Sequence, residues 1–69
     1  MSHIGKNIRK FREEKNLSQE QLAVKIRCGT KKIEDYENGI ASPNLDTILK
    51  ISTVLDIPAA ELLARQDNR

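Results

Sequence analysis

Leu17-Ser18-Gln19-Glu20-Gln21-Leu22-Ala23-Val24-Lys25-Ile26-Arg27-Cys28-Gly29-Thr30-Lys31-Lys32-Ile33-Glu34-Asp35-Tyr36-Glu37-Asn38-Gly39 reads as two short helices joined by a tight link. Ser18 followed three residues later by Gln21 is the signature of a capping box, in which each residue satisfies a backbone N–H of the other. The helix it opens carries Leu22, Ala23 and Ile26 on one face and stops near Arg27 after about two turns. Arg27-Cys28-Gly29 links it to a further helix, Thr30 to Asn38, whose apolar pair is Ile33 and Tyr36. Gly39 ends that helix, because only glycine enters the left-handed region at little cost.

The rest of the chain continues the helical period, and no β alternation of any length interrupts it. Ile4, Ile8 and Phe11 recur at i, i+4, i+7 and set a first helix from about Ser2 to Lys15, broken at Asn16-Leu17. After Gly39, Pro43 forbids helix just before itself, and Asn44 is an N-cap with Asp46 in the favourable first turn. Leu45, Ile48, Leu49, Ile51, Ser52 and Leu55 form a broad apolar arc, which makes this fourth helix the expected centre of the core. Pro58 is suited to the first position of a fifth helix completed by Ala59, Leu62 and Leu63, with Arg65 to Arg69 expected to fray. Five short helices with short links give an all-α fold: one compact bundle over residues 1–69, ordered from about 3 to 64.

Charge is distributed unevenly along the chain. The net charge is +2, but residues 1–32 hold nine Lys/Arg against three Glu, a net of +6, and residues 33–69 hold three against seven, a net of −4. A basic half favours a polyanion on one face, against the simpler reading of solvated helix surface. The one cysteine, Cys28, rules out an internal disulfide, and there is neither a bilayer-length apolar run nor a signal-peptide core. A reducing cytoplasm fits. One Phe and one Tyr are too few for stacking on single-stranded nucleic acid. No metal-ligand spacing surrounds His3 or Cys28, and no nucleophile elbow or phosphate-cradling glycine run is present. An enzyme, a metal site and a cofactor are therefore not expected.

From Ile4 to Leu63 the chain resembles the lambda-repressor-like helix-turn-helix family, also called the Cro/C1 or Xre type. The resemblance rests on Ile8-Arg9 and Arg12, on Leu17 to Ala23, on Ile33 to Gly39, on Pro43-Asn44-Leu45 and on the Ile48 to Leu55 pattern, in order and at the family's spacing. It implies that the second and third helices are the helix-turn-helix, in a minimal form with no sensor or peptidase domain attached. It also implies a transcriptional regulator that reads double-stranded DNA, the third helix entering the major groove N-terminal end first. Thr30, Lys31, Glu34 and Asp35 then fall at positions that meet base edges. Lys31 is suited to guanine O6 and N7, Glu34 or Asp35 to cytosine N4, and Thr30 to a thymine methyl. Ser18, Gln19, Lys25, Arg27, Lys32, Asn38 and Asn44 fall at phosphate positions, and Gln19 matches a residue that otherwise braces a side chain of the third helix. For Ser18, Gln19 and Asn44 the competing reading is plain helix capping, and for Lys31 it is phosphate contact alone. Arg12 and Glu37 match a structural ion pair between the first and third helices. A homodimer reading an inverted repeat would use Ile57, Pro58 and Leu63, with Leu62 kept in the core.

Two departures from the family pattern stand in the turn. Arg27 occupies the usual glycine position, where a positive φ costs about 1 kcal/mol. Gly29 occupies the usual Ser/Thr cap, at a loss of a few tenths of a kcal/mol. The rival reading is a protein-interaction module on the same fold, such as an antitoxin or an anti-repressor partner, which the acidic half would suit. A protein partner modulating a DNA-binding regulator is compatible with either.

Overall fold

The computed structural model describes residues 3–64. Among them are five helices and no strand: α1 (Ile4–Glu14), α2 (Gln19–Ile26), α3 (Thr30–Glu37), α4 (Leu45–Leu55) and α5 (Ala59–Leu63). The termini follow local chemistry. Ser18 Oγ accepts from the Gln21 N–H at 3.0 Å while Gln21 Oε1 accepts from the Ser18 N–H at 2.8 Å, so the capping box is complete. Asn44 Oδ1 caps α4 through the Thr47 N–H at 2.9 Å. Gly39 leaves α3 at φ 78°, the conformation for which a glycine is required there.

Some expected boundaries shift. The first helix starts at Ile4 with His3 as its N-cap, and Lys15 is its C-cap; Ser2 lies outside the described residues, as do Arg65 to Arg69. Pro58 is not the first helical residue of α5 but its N-cap, at ψ 144°, and the helix begins at Ala59. Asn16 and Asp56 end α1 and α4 in left-handed conformations, at φ 58° and 59°. Both have short polar side chains that tolerate this region better than most.

α2 packs on α3 and α4; α1 packs on α3, α4 and α5; α4 also packs on α5. Ile8, Leu22, Ile33, Ile51, Leu55 and Leu62 are fully buried where these faces meet, each stabilising the fold by roughly 1.5–3 kcal/mol before entropy is counted. α4 is not the uniquely central helix its apolar arc suggested: Leu45 and Leu49 are 65% and 48% exposed, and only Ile48, Ile51, Ser52 and Leu55 turn inward. The arc is wider than the core it meets.

α1 has two polar or small residues that hydrophobic periodicity does not flag. Gly5 lies against the last turn of α3, where a Cβ would fall inside the contact distance of the Tyr36 carbonyl oxygen and 2.9 Å from that of Glu37. Asn7 is completely buried, and its Nδ2 donates to the carbonyls of Leu62 at 2.8 Å and Ala64 at 2.7 Å. These are end-of-helix carbonyls without intrahelical partners, so Asn7 ties α5 to α1. Its Oδ1 has no partner among the described residues.

Candidate nucleic-acid interface

The turn between α2 and α3 sets how far α3 projects. Arg27 closes α2 in the left-handed region, φ 62° and ψ 50°, and the Cys28 N–H donates back to the Ala23 carbonyl at 2.9 Å. Gly29 then caps α3 from an extended conformation, φ −79° and ψ 152°, with no side chain to accept a bond. Both unusual residues thus take the backbone that the helix-turn-helix resemblance required of their positions. Cys28 is half-buried between them, its thiol donating to the Gly29 carbonyl at 3.5 Å, and burial pushes its pKa up.

Ile33 and Tyr36 anchor α3 in the core. Lys31, Lys32 and Glu34 stand in solvent, and Thr30 and Asp35 are half-buried beside them. Lys31 Nζ and Asp35 Oδ1 form an ion pair at 2.9 Å one turn apart. Hydrogen bonding to Asp35, with its charge, lifts the Lys31 pKa above the ordinary lysine value. Asn38, the C-cap of α3, is exposed.

Behind α3 lies a buried polar junction. Arg12 Nε donates to Glu37 Oε2 at 2.7 Å and one terminal nitrogen donates to Oε1 at 3.0 Å, a bidentate pair with side chains 9% and 3% exposed. The hydrogen bond with Glu37 raises the Arg12 pKa against the opposing effect of burial. The other terminal nitrogen donates to the Leu17 carbonyl, and Gln19 Nε2 donates to Glu37 Oε1 at 3.0 Å. Glu37 therefore joins α1, the start of α2 and the end of α3. One Nε2 hydrogen of Gln19 is committed inward, while the other and its backbone N–H in the first turn of α2 can still serve an anion. The resemblance allows Gln19 to brace a side chain of the third helix, and its bond to Glu37 is of that kind; the part of Leu17 had no signal in the sequence beyond its proximity to Arg12.

The remaining candidates lie elsewhere on the surface. Lys25 and Arg27 line a shallow groove between α2 and α4 with Leu49, Lys50 and Asp46. Asn44 is exposed at the start of α4. Ile57 is half-buried and packed on the core, whereas Pro58 is exposed and Leu63 is 46% exposed. No helix among the described residues is long and apolar enough to cross a membrane.

Comparison with known proteins places this arrangement. A family model described as helix-turn-helix matches residues 8–62. The cryptic phage CTXphi transcriptional repressor RstR of Vibrio cholerae is 39% identical over 61 residues, 88% of this chain and 55% of RstR. The chain spans 36% and 50% of two other curated relatives, so the proteins it matches are longer than the matched part. Among solved structures, the restriction-modification controller protein C.AhdI from Aeromonas hydrophila superposes with a TM-score of 0.83 at 37% identity, covering 87% of this chain and 91% of that one. The N-terminal DNA binding domain of SinR from Bacillus subtilis superposes with a TM-score of 0.85 at 29% identity, covering 94% and 96%.

Proposed function

The chain belongs to the helix-turn-helix family, and on that footing we propose that it is a DNA-binding transcriptional regulator, not an enzyme, that reads an inverted-repeat operator as a homodimer. The observation that carries the reading is the two-sided build of α3: Ile33 and Tyr36 lock one side into the core, and the opposite side presents Thr30, Lys31, Glu34 and Asp35 together. A helix held this rigidly can deliver side chains to base edges in fixed register. The likeness to a SinR domain described as DNA binding and to a repressor supports the same reading.

In this reading α3 enters the major groove. Ser18 and Gln19 at the start of α2, Asn38 after α3, and Asn44 at the start of α4 hold phosphates, through side chains and the free N–H groups of helix N-termini. Lys32, Lys25 and Arg27 add attraction that weakens with salt. Pro58 and Leu63 face the second copy, with Ile57 supporting them from the core. The cytoplasmic location and the single domain over residues 1–69 belong to the same proposal. No cofactor enters it.

The test is selection from random duplex DNA at near-physiological salt. The expected result is a short inverted repeat with half-sites about 34 Å apart. Gln19→Ala should then weaken binding evenly across sequences, as a phosphate contact does. Absence of any enriched sequence, or loss of all binding at modest salt, would overturn the reading in favour of a protein-interaction module.

A further inference from the structure

The order of charges along α3 runs against helix stability. Its first turn carries Lys31 and Lys32 and no acid, its last turn carries no base, and Glu34, Asp35 and Glu37 follow behind. The helix dipole favours the reverse, acids first and bases last, and a Lys preceding an acid by four residues is the weaker orientation of such a pair. The other helix of the motif obeys the rule: α2 has Glu20 in its first turn and Lys25 in its last. α4 likewise begins with Asp46. The departure is confined, within the helix-turn-helix, to the helix that meets bases.

We propose that Lys31 and Asp35 read DNA as one coupled pair, Asp35 acting as a positioning residue that fixes which base Lys31 selects. This rests on the regulator reading above and deepens it. The two partners are unequally placed. The Lys31 side chain is 77% exposed and the Asp35 side chain 22%, so the carboxylate is the fixed member and the ammonium the reaching one. The backbone carbonyl of Asp35 also accepts from the N–H groups of Ile40 at 2.9 Å and Ala41 at 3.2 Å, which ties this turn of α3 to the following loop. An ammonium has three hydrogens. One donated to Asp35 at 2.9 Å sets the direction of the other two, and a guanine offers two adjacent acceptors, O6 and N7, to receive them. The four-carbon stem of a free lysine would lose its rotational freedom only on binding; here part of that ordering precedes DNA. The carboxylate also repels phosphates, so Lys31 cannot settle on the backbone of a wrong site without carrying a negative charge there.

The experiment is a comparison of base preference, by selection and by titration against single-base operator variants, for the wild-type protein, Lys31→Ala, Asp35→Asn, Asp35→Ala and the Lys31→Ala/Asp35→Asn double variant. Helical content is checked for each, and the two Asp35 substitutions guard against one that fails to fold. Glu14→Gln, at an exposed position of α1 outside the interface, serves as the control that removes the same charge. The expected result is that Asp35→Asn and Lys31→Ala relax preference at the same position of each half-site, by roughly tenfold, and that the double variant relaxes it no further. Asp35→Asn should at the same time bind random duplex several-fold more tightly, and Glu14→Gln should leave preference at the Lys31 position intact. Relaxation at a different position in Asp35→Asn would show that Asp35 reads its own base and would overturn the coupling, as would additive effects in the double variant. Wild-type preference that survives Asp35→Asn unchanged would overturn the coupling alone, whereas a wild-type protein with no base preference would overturn the regulator reading and this proposal with it.

Discussion

Replacing Gly5 by Ala sets two physical effects of opposite sign against each other. On helix propensity alone, Gly→Ala in α1 stabilises by about 1 kcal/mol. Packing says otherwise. The added methyl would sit inside the contact distance of the Tyr36 carbonyl oxygen and 2.9 Å from the Glu37 carbonyl oxygen. Both are main-chain atoms of the last turn of α3, so no flexible side chain can swing aside. To restore ordinary contact, α1 and α3 must part by roughly 1 Å. Overpacking of this kind costs about 1–3 kcal/mol, occasionally more, and with backbone on both sides the upper end applies. The shift also pulls on Glu37, whose carboxylate holds Arg12 at 2.7 Å. Less the propensity gain, a net destabilisation of about 2 kcal/mol results, which for a domain of this size lowers Tm by about 8–16 °C. Thermal and urea denaturation followed by far-ultraviolet circular dichroism measure both quantities. A midpoint unchanged or raised in Gly5→Ala would refute the close approach of α1 to α3 and, with it, the account of how α3 is seated.

Three further substitutions test the turn and the junction. Arg27→Gly should stabilise by up to about 1 kcal/mol in urea denaturation, since it relieves a non-glycine residue at φ 62°. If Arg27 also meets a phosphate, the same variant should reduce the salt slope of DNA binding by about 1. Gly29→Ser should raise stability by a few tenths of a kcal/mol, because the backbone already has cap geometry and nothing lies within 4 Å of a Cβ there; a loss would mean that the cap side chain cannot point at α3. Arg12→Ala removes one partner of a pair with side chains 9% and 3% exposed and should cost about 3–5 kcal/mol. That approaches the whole stability such a small core supplies, about 3–5 kcal/mol, so the variant should be largely unfolded by circular dichroism at 25 °C.

The sequence discloses those features that repeat or that local chemistry dictates. The capping box at Ser18 and Gln21, the glycine stop at Gly39 and the apolar pair Ile33 and Tyr36 are all local, and each stands in the structure as read. Features that depend on how far apart two elements lie were beyond its reach. The apolar arc of α4 names six residues, but burial of Leu45 and Leu49 would need a neighbour that the five-helix packing does not supply. Asn7 looks like a surface residue of an amphipathic helix, and its role follows only from where the chain places the end of α5, more than fifty residues later. Gly5 gives no signal by itself, because a glycine near a helix start is equally compatible with having no neighbour at all. The Arg12–Glu37 pair and a bracing role for Gln19 were reachable through the family resemblance, whereas the part of the Leu17 carbonyl needed coordinates.

Distance between elements also decides the sign of the outer surface of α3. Read along the chain, Thr30 to Glu37 holds two Lys and three acids, a poor composition for a helix that approaches phosphates. The structure divides those acids by partner. Glu37 turns inward, where Arg12 and Gln19 take up its carboxylate. Asp35 is bonded to Lys31. Of the three, only Glu34 is exposed. The outer face is therefore close to neutral, with Lys31 and Lys32 in its first turn, the end that leads into the groove in the proposed reading. In the proposed reading a near-neutral face gains little from phosphates indiscriminately and draws its affinity from base edges and from the N–H groups at the starts of α2 and α4. Such a balance favours a reader of sequence over a general coat for DNA, and in the proposed reading the half-buried Asp35 carboxylate takes the discriminating role by positioning Lys31.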